Sequence, residues 1–227
     1  MRFQVGAPVK PYGAYVAPLK DGPYLRADGR VEVGQWGMIP PDSLTRFPQM
    51  KVGRPAEGAK QKFKPLSTNN ARRERLHVAK TFSDSWLRGK RCLVPAENFT
   101  EPYWGTGKHI AWTFSRVDGA PWALAGIWAE WVDPDSGELV PNYSMITQNC
   151  DTHPLLRLMH RPTLDKAGLP VPPDKQDKRA VVPIEEPYWD QWLNGTVEQA
   201  EALIQLPALE LFKHGAADPA KQVDLGL

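Results

Sequence analysis

Three short polar segments interrupt the apolar runs of this chain, and their side chains are of the kinds that move protons and hold phosphates. Ser67-Thr68-Asn69-Asn70-Ala71-Arg72 offers an amide in Asn70 and a guanidinium in Arg72, with Arg73, Glu74 and Arg75 directly behind. Pro95-Ala96-Glu97-Asn98-Phe99-Thr100-Glu101 offers carboxylates, followed by Tyr103 and Trp104, and Met159-His160-Arg161-Pro162 places an imidazole beside a second guanidinium. A carboxylate and an imidazole within reach of one another can pass protons near neutral pH, and arginine holds phosphate oxygens through paired N–H donors. Glu101 stands at the end of an apolar strand pattern beside two aromatic rings, a setting that desolvates a carboxyl and favours its protonated form.

Each segment also has a plainer reading. An asparagine before a polar run caps helices, a glutamate at a strand end is commonly an exposed or ion-paired group, and a lone histidine is commonly a satisfied structural one. Glu97 competes with Glu101, and His153 with His160; Arg73 and Arg75 are either ordinary solvated arginines or trackers of a nucleic-acid backbone. Val33-Gly34-Gln35-Trp36-Gly37-Met38-Ile39-Pro40-Pro41 reads as a strand running into a Gly/Pro turn, and Trp36 is either core or a face on which an unpaired base stacks. The two cysteines, Cys92 and Cys150, are too few for a disulfide framework and are not spaced for zinc, so both are read as reduced and buried, with Cys92 a core thiol. No metal and no cofactor are expected.

The elements that must position these residues read as β-rich. Prolines and glycines punctuate the chain into short β-branched and aromatic runs. Strands are predicted over Ala14–Pro18, Val31–Ile39, Arg91–Ala96, Ile110–Arg116, Trp122–Trp131, Tyr143–Thr147 and Ala180–Ile184. The turns Val117–Ala120 and Asp133–Gly137 are predicted to close hairpins. Short helices are predicted over Asn70–Leu76 and Thr81–Arg88, the second capped by Ser83 or Asp84, then from Glu185 to Leu193 and, behind an N-cap at Thr196, over Thr196–Gln205. Asp165–Arg179 reads as a polar surface loop and the tail after Leu211 as loosely held. The fold class is therefore α+β: one domain built on a mainly antiparallel sheet or open barrel, with a few peripheral helices.

Composition narrows the function classes. With 227 residues, 41% hydrophobic and 24% charged, the chain suits a globular domain. It has neither an apolar run of membrane-spanning length nor a secretory leader, so a cytoplasmic monomer is expected. A net charge of only +2 means that a nucleic-acid partner would be met by a local basic patch. Nine tryptophans serve core filling first and base stacking second.

Taken in order, Trp36-Gly37-Met38-Ile39-Pro40, Asn70-Ala71-Arg72, Arg91-Cys92-Leu93-Val94-Pro95-Ala96 with Glu101, Ala125-Gly126-Ile127-Trp128, and His160-Arg161-Pro162 resemble the SOS-response-associated peptidase (SRAP) family. The resemblance spans about residues 31–206, and the Asp165–Lys178 loop looks like that of the family's phage-associated branch. It implies a protein that senses abasic sites in single-stranded DNA, with Asn70, Glu101 and His160 as catalytic residues and Trp36, Arg72, Arg73 and Arg161 facing DNA. In the family a cysteine exposed by removal of the initiator methionine traps the ring-opened aldehyde and cleaves its own N-terminus. Here position 2 is Arg2, which has no thiol. Part of the usual N-terminal region is expected to be missing, and a Met-Cys start upstream is the favoured explanation. Two further readings stay open: a single-stranded DNA-binding module without catalysis, and a cysteine peptidase using Cys92 or Cys150 with His160.

Overall fold

The computed structural model describes residues 7–58 and 60–217, and alternation of apolar side chains dominates its construction. In chain order the elements are β1 (Asp21–Arg26), β2 (Val31–Trp36), β3 (Gln49–Val52), β4 (Lys62–Pro65), β5 (Asn70–Arg72), α1 (Ser83–Leu87), β6 (Arg91–Ala96), β7 (Asn98–Tyr103), β8 (Ile110–Arg116), β9 (Trp122–Val132), β10 (Leu139–Asn149), β11 (Arg179–Val181), α2 (Trp189–Asn194), α3 (Val197–Ala202) and β12 (Phe212–Ala216).

Strands β10, β2, β1, β6 and β9 pair in that order, and β9 pairs back onto β10 through the Asp133–Glu138 turn, which closes the ring into a small barrel. All these pairings are antiparallel except β10 with β2. The far half of β10 leaves the ring and is flanked by β5 in parallel and β11 antiparallel. A separate antiparallel sheet is ordered β12-β8-β7, and β3 with β4 forms a free-standing hairpin.

Period-two alternation sends the two faces of the strands into two cores. On β6, Cys92 and Val94 join Tyr24, Leu124, Tyr143 and the second sheet's Phe114, while Leu93 joins Leu25, Ile127, the helical residues Trp86 and Trp192, and Ile204 just beyond α3. Where β9 runs between β6 and β10 it carries Gly126, because a Cβ there would lie 2.8 Å from Cys92 Sγ and 3.1 Å from the Ser144 carbonyl. Arg91, 2% exposed, anchors the helical layer: its guanidinium donates to the Trp192 and Gly195 carbonyls at the end of α2, which would otherwise lack partners. The Trp192 indole returns a bond to the Cys92 carbonyl at 2.9 Å.

Several expectations are corrected. Residues 14–18 form bends and a turn and not a strand; Pro18 and the exposure of 14 and 15 leave nothing to pair. The strand predicted to reach Ile39 ends at Trp36, since Gly37 takes φ +148 and the Pro40-Pro41 pair follows. Asn70–Arg72 is extended and not helical: Ala71 is buried and the segment pairs with Met145–Thr147, so tertiary pairing overrides the capping signal. Only Arg73–Arg75 coils, as a single 3-10 turn. Neither Ser83 nor Asp84 caps α1, which starts after Phe82 with no side-chain cap. The Val117–Ala120 turn joins strands of different sheets and is not a hairpin. Of the tail after Leu211, Phe212–Ala216 is held as β12 against β8, and residues 218–227 lie outside the described residues. Thr196 does cap α3, with Gln199 completing the reciprocal box.

Candidate functional site

The site forms where the edge of the second sheet meets the chain leaving β10. Pro102 lies in β7, an edge strand, where its missing N–H costs no ladder bond. That edge is met by the 158–160 segment: the Trp104 N–H donates to the Leu158 carbonyl at 2.8 Å, Tyr103 bridges Met159, and the His160 N–H donates to the Pro102 carbonyl at 2.6 Å. His160 takes the left-handed conformation, φ +60, which strains a residue with a Cβ by about 1–3 kcal/mol and is held by its surroundings. This turn brings His160 Nε2 to 3.2 Å from Glu101 Oε2, the imidazole 43% and the carboxylate 23% exposed. A carboxylate on Nε2 orients the ring and leaves Nδ1 facing away as an acceptor in the neutral form, an arrangement suited to proton transfer.

Lys178 holds the turn from below. It is only 6% exposed, and its ammonium donates to the carbonyls of His160 at 2.7 Å and Arg161 at 2.9 Å. Burial pushes its pKa below the usual lysine value, opposed by the charge of Asp151. Asp151 in turn accepts from the backbone N–H groups of Asp177 and Lys178 at 3.0 and 2.7 Å, which seats the end of the 165–178 loop. Trp104, His160, Gln176 and Lys178 line a cleft of ≈570 Å³ roofed by the loop prolines.

The other predicted residues reach this place by a continuous path. The Trp36 indole donates to the Asn69 carbonyl at 2.8 Å, which sets the half-buried ring beside the start of β5. Asn70 and Arg72 share the exposed face of β5, with Ala71 buried opposite. Arg72 donates to Asp177 at 2.8 Å, and Asp177 precedes the lysine that holds His160. Asp177 also pairs with Arg179, which reaches Glu74. Burial of Asp177 opposes its ionisation, but the Arg179 hydrogen bond and the charges of Arg179 and Arg72 outweigh it and keep its carboxyl below the usual range. Arg161 is exposed with its guanidinium 5.8 Å from the Trp104 ring centre, and among the described residues no carboxylate pairs with it. Arg73 turns elsewhere: it donates to Gln148 Oε1 at 3.1 Å and lies 3.8 Å from Glu201 of α3.

His153, the competing histidine, is 7% exposed, accepts at Nδ1 from the Leu155 and Leu156 N–H groups, and has Nε2 3.0 Å from the Pro207 carbonyl, so it organises the turn after β10. Glu97 is exposed and remote from these contacts. Burial pushes the Cys150 thiol up to about 12 and the Cys92 thiol higher still, which suppresses the thiolate a peptidase nucleophile needs. Among the described residues no cluster of histidine, cysteine and carboxylate side chains could hold a metal, and no helix is long and apolar enough to cross a membrane. Sequence reasoning missed Lys178, Asp177 and Asp151, since a lysine in a polar, proline-rich loop carries no signal that its ammonium is buried.

The fold has counterparts among known structures. Solved structures similar to the chain include a Bordetella bronchiseptica protein, with TM-score 0.75, 27% identity and coverage of 95% of this chain and 92% of that one. A Bacteroides thetaiotaomicron protein follows at TM-score 0.65 and 18% identity, covering 88% of this chain and 75% of its own. A phage-related protein from Bordetella bronchiseptica has TM-score 0.54 and 16% identity, covering 89% and 80%. The search of curated proteins returned no significant match. The family model described as "SOS response associated peptidase (SRAP)" matches residues 7–217, and the chain belongs to that family.

Proposed function

We propose that this protein binds single-stranded DNA at abasic sites in the cleft beside Glu101 and His160, and that, when preceded by an N-terminal cysteine, it joins covalently to the abasic aldehyde. Family membership ties the chain to the DNA-damage response and to DNA binding in general. The observation that most supports this reading is the Glu101–His160 pair, 3.2 Å apart, with His160 on a strained turn that lines the cleft. In this reading Glu101 and His160 move protons as the aldehyde condenses with the terminal amine, and Asn70 hydrogen-bonds the sugar. Arg72 and Arg161 take phosphates, Arg72 by exchanging Asp177 for the DNA oxygen, and Trp36 stacks on a neighbouring base. The protein acts as a monomer in the cytoplasm and uses no cofactor.

Arg2 provides no thiol, so the 227-residue chain as it stands is expected to bind without forming the adduct. The experiment mixes abasic single-stranded DNA with this chain and with the same chain preceded by Met-Cys and the residues upstream in its own gene. A denaturation-resistant band from the extended protein alone is the expected result. Salt-sensitive binding without a band from either protein would replace this reading with that of a non-catalytic binding module.

A further inference from the structure

The β3–β4 hairpin is unlike the rest of the surface. Between Gln49 and Pro65 it carries five cations, Lys51, Arg54, Lys60, Lys62 and Lys64, against the single carboxylate of Glu57, in a chain whose net charge is only +2. Among the described residues none of these cations is in an ion pair, as is also true of scattered ones such as Lys20, Lys108 and Arg161, whereas Arg72 and Arg179 near the site are paired with carboxylates. Every strand residue is exposed on both faces. Cross-strand partners share a face, which sets Met50 beside Lys64, Val52 beside Lys62 and Lys51 beside Phe63. Met50, Val52 and Phe63 are 41%, 41% and 53% exposed.

A two-stranded hairpin with both faces in water gains little from packing. This one is held at its base by the Leu66 N–H to the Pro48 carbonyl, 2.9 Å, and at its loop end by Gln61 reaching the Val52 and Gly53 carbonyls. Lysines on an exposed edge do discourage strand pairing between molecules. That need is met by a charge of either sign and does not explain why five of six charges are positive or why an aromatic ring stays exposed among them. The hairpin also leaves the chain at the site: it is spliced between the Trp36–Pro40 turn and Ser67–Asn70, and the carbonyl of Asn69 holds the Trp36 indole. Strands of this length extend about 13 Å from such a base.

We infer that the β3–β4 hairpin is a second DNA-contacting arm that grips the phosphate backbone of the single strand as it runs on from the site, with Phe63 available to an unstacked base. The inference rests on the proposed DNA-binding function and adds a surface that the catalytic residues do not share. Phe63 shares one face with Lys51 while Lys62 and Lys64 share the other with Val52 and Met50, so backbone charge can be met on both faces and a base on one, which suits single-stranded DNA, where backbone charge and base faces are both accessible.

The test measures binding of undamaged single-stranded and duplex oligonucleotides by fluorescence anisotropy over a range of salt concentrations, for the wild type and for the triple variant Lys51→Gln, Lys62→Gln, Lys64→Gln. A second triple variant with glutamate at the same positions keeps the edge charged. If each lysine neutralises one phosphate, the glutamine variant lowers the slope of log K against log salt on single strands by about 2, or roughly a hundredfold in affinity at 0.1 M salt. The glutamate variant falls further while remaining folded and monomeric. An unchanged slope in both variants, with wild-type binding intact, overturns the arm and leaves the site reading standing. A loss confined to duplex DNA overturns the assignment to single strands. A wild type that binds no DNA overturns both the inference and the function on which it rests.

Discussion

Replacing Lys178 with methionine removes an ammonium but keeps most of the side chain's length and volume. In the wild type that ammonium satisfies the carbonyls of His160 and Arg161 at 2.7 and 2.9 Å from a position 6% exposed. Leaving two buried carbonyls without donors costs roughly 1–3 kcal/mol each. Part is returned because methionine has no charge to desolvate. The net loss is on the order of 2–4 kcal/mol, which lowers Tm by about 5–15 °C in a domain of this size. The pH dependence has a definite sign. Burial depresses the folded-state pKa of Lys178, so its charged form is disfavoured in the native state, fully so below that lowered value. As pH rises towards the unfolded value, about 10.4, the penalty disappears while the neutral amine still offers two N–H donors. The stability advantage of wild type over Lys178→Met therefore widens as pH rises from the lowered folded-state value to the unfolded one. Urea unfolding of both proteins across that range measures it. A methionine variant as stable as wild type, with a gap that is flat in pH, would refute the claim that Lys178 holds the His160 turn.

Two further outcomes test the frame around the site. Thr196→Ala removes one half of the reciprocal cap on α3 and should cost about 1 kcal/mol, read as a lower urea midpoint with unchanged m-value; no loss would mean that the cap is redundant. Thiol labelling of the native protein at pH 8 should leave Cys92 and Cys150 unreacted until urea unfolds the chain, since both are 0% exposed with raised pKa; rapid native labelling of either would reopen the cysteine-peptidase reading.

The parts of the fold legible in the sequence are those whose side chains alternate within a single uninterrupted run. Strands β6 and β8 lie at their predicted boundaries, because Cys92, Leu93 and Val94 divide between the two cores and turn residues bound both segments. Partners are harder to read than strands. Nothing local to Val117–Ala120 says that the strands on either side belong to different sheets, or that Asn70–Arg72 will find Met145–Thr147 and give up a helical turn. The tail after Leu211 looked unpatterned because β12 needs only Phe212 buried, and its other strand residues stay half or fully exposed. At the site, only family likeness favours Glu101 and His160, since Glu97 and His153 are their equals on residue type alone. The geometry separates them: Glu97 is exposed, and His153 is committed to backbone groups on both ring nitrogens. Burial of Lys178 depends on Asp151 capturing two loop N–H groups, a long-range contact with no periodic signature.

If Glu101 and His160 work together on the abasic aldehyde, the rate of crosslinking to abasic single-stranded DNA by the cysteine-bearing protein reads that cooperation directly. It is compared for wild type, Glu101→Gln, His160→Gln and the double variant. Loss of a positioned acid–base group costs about 10²–10⁴-fold, and groups acting as one unit are strongly non-additive. Each single variant is expected to slow the adduct by at least about a hundredfold, and the double variant to be scarcely slower than the worse single. Single variants that crosslink at the wild-type rate would contradict it.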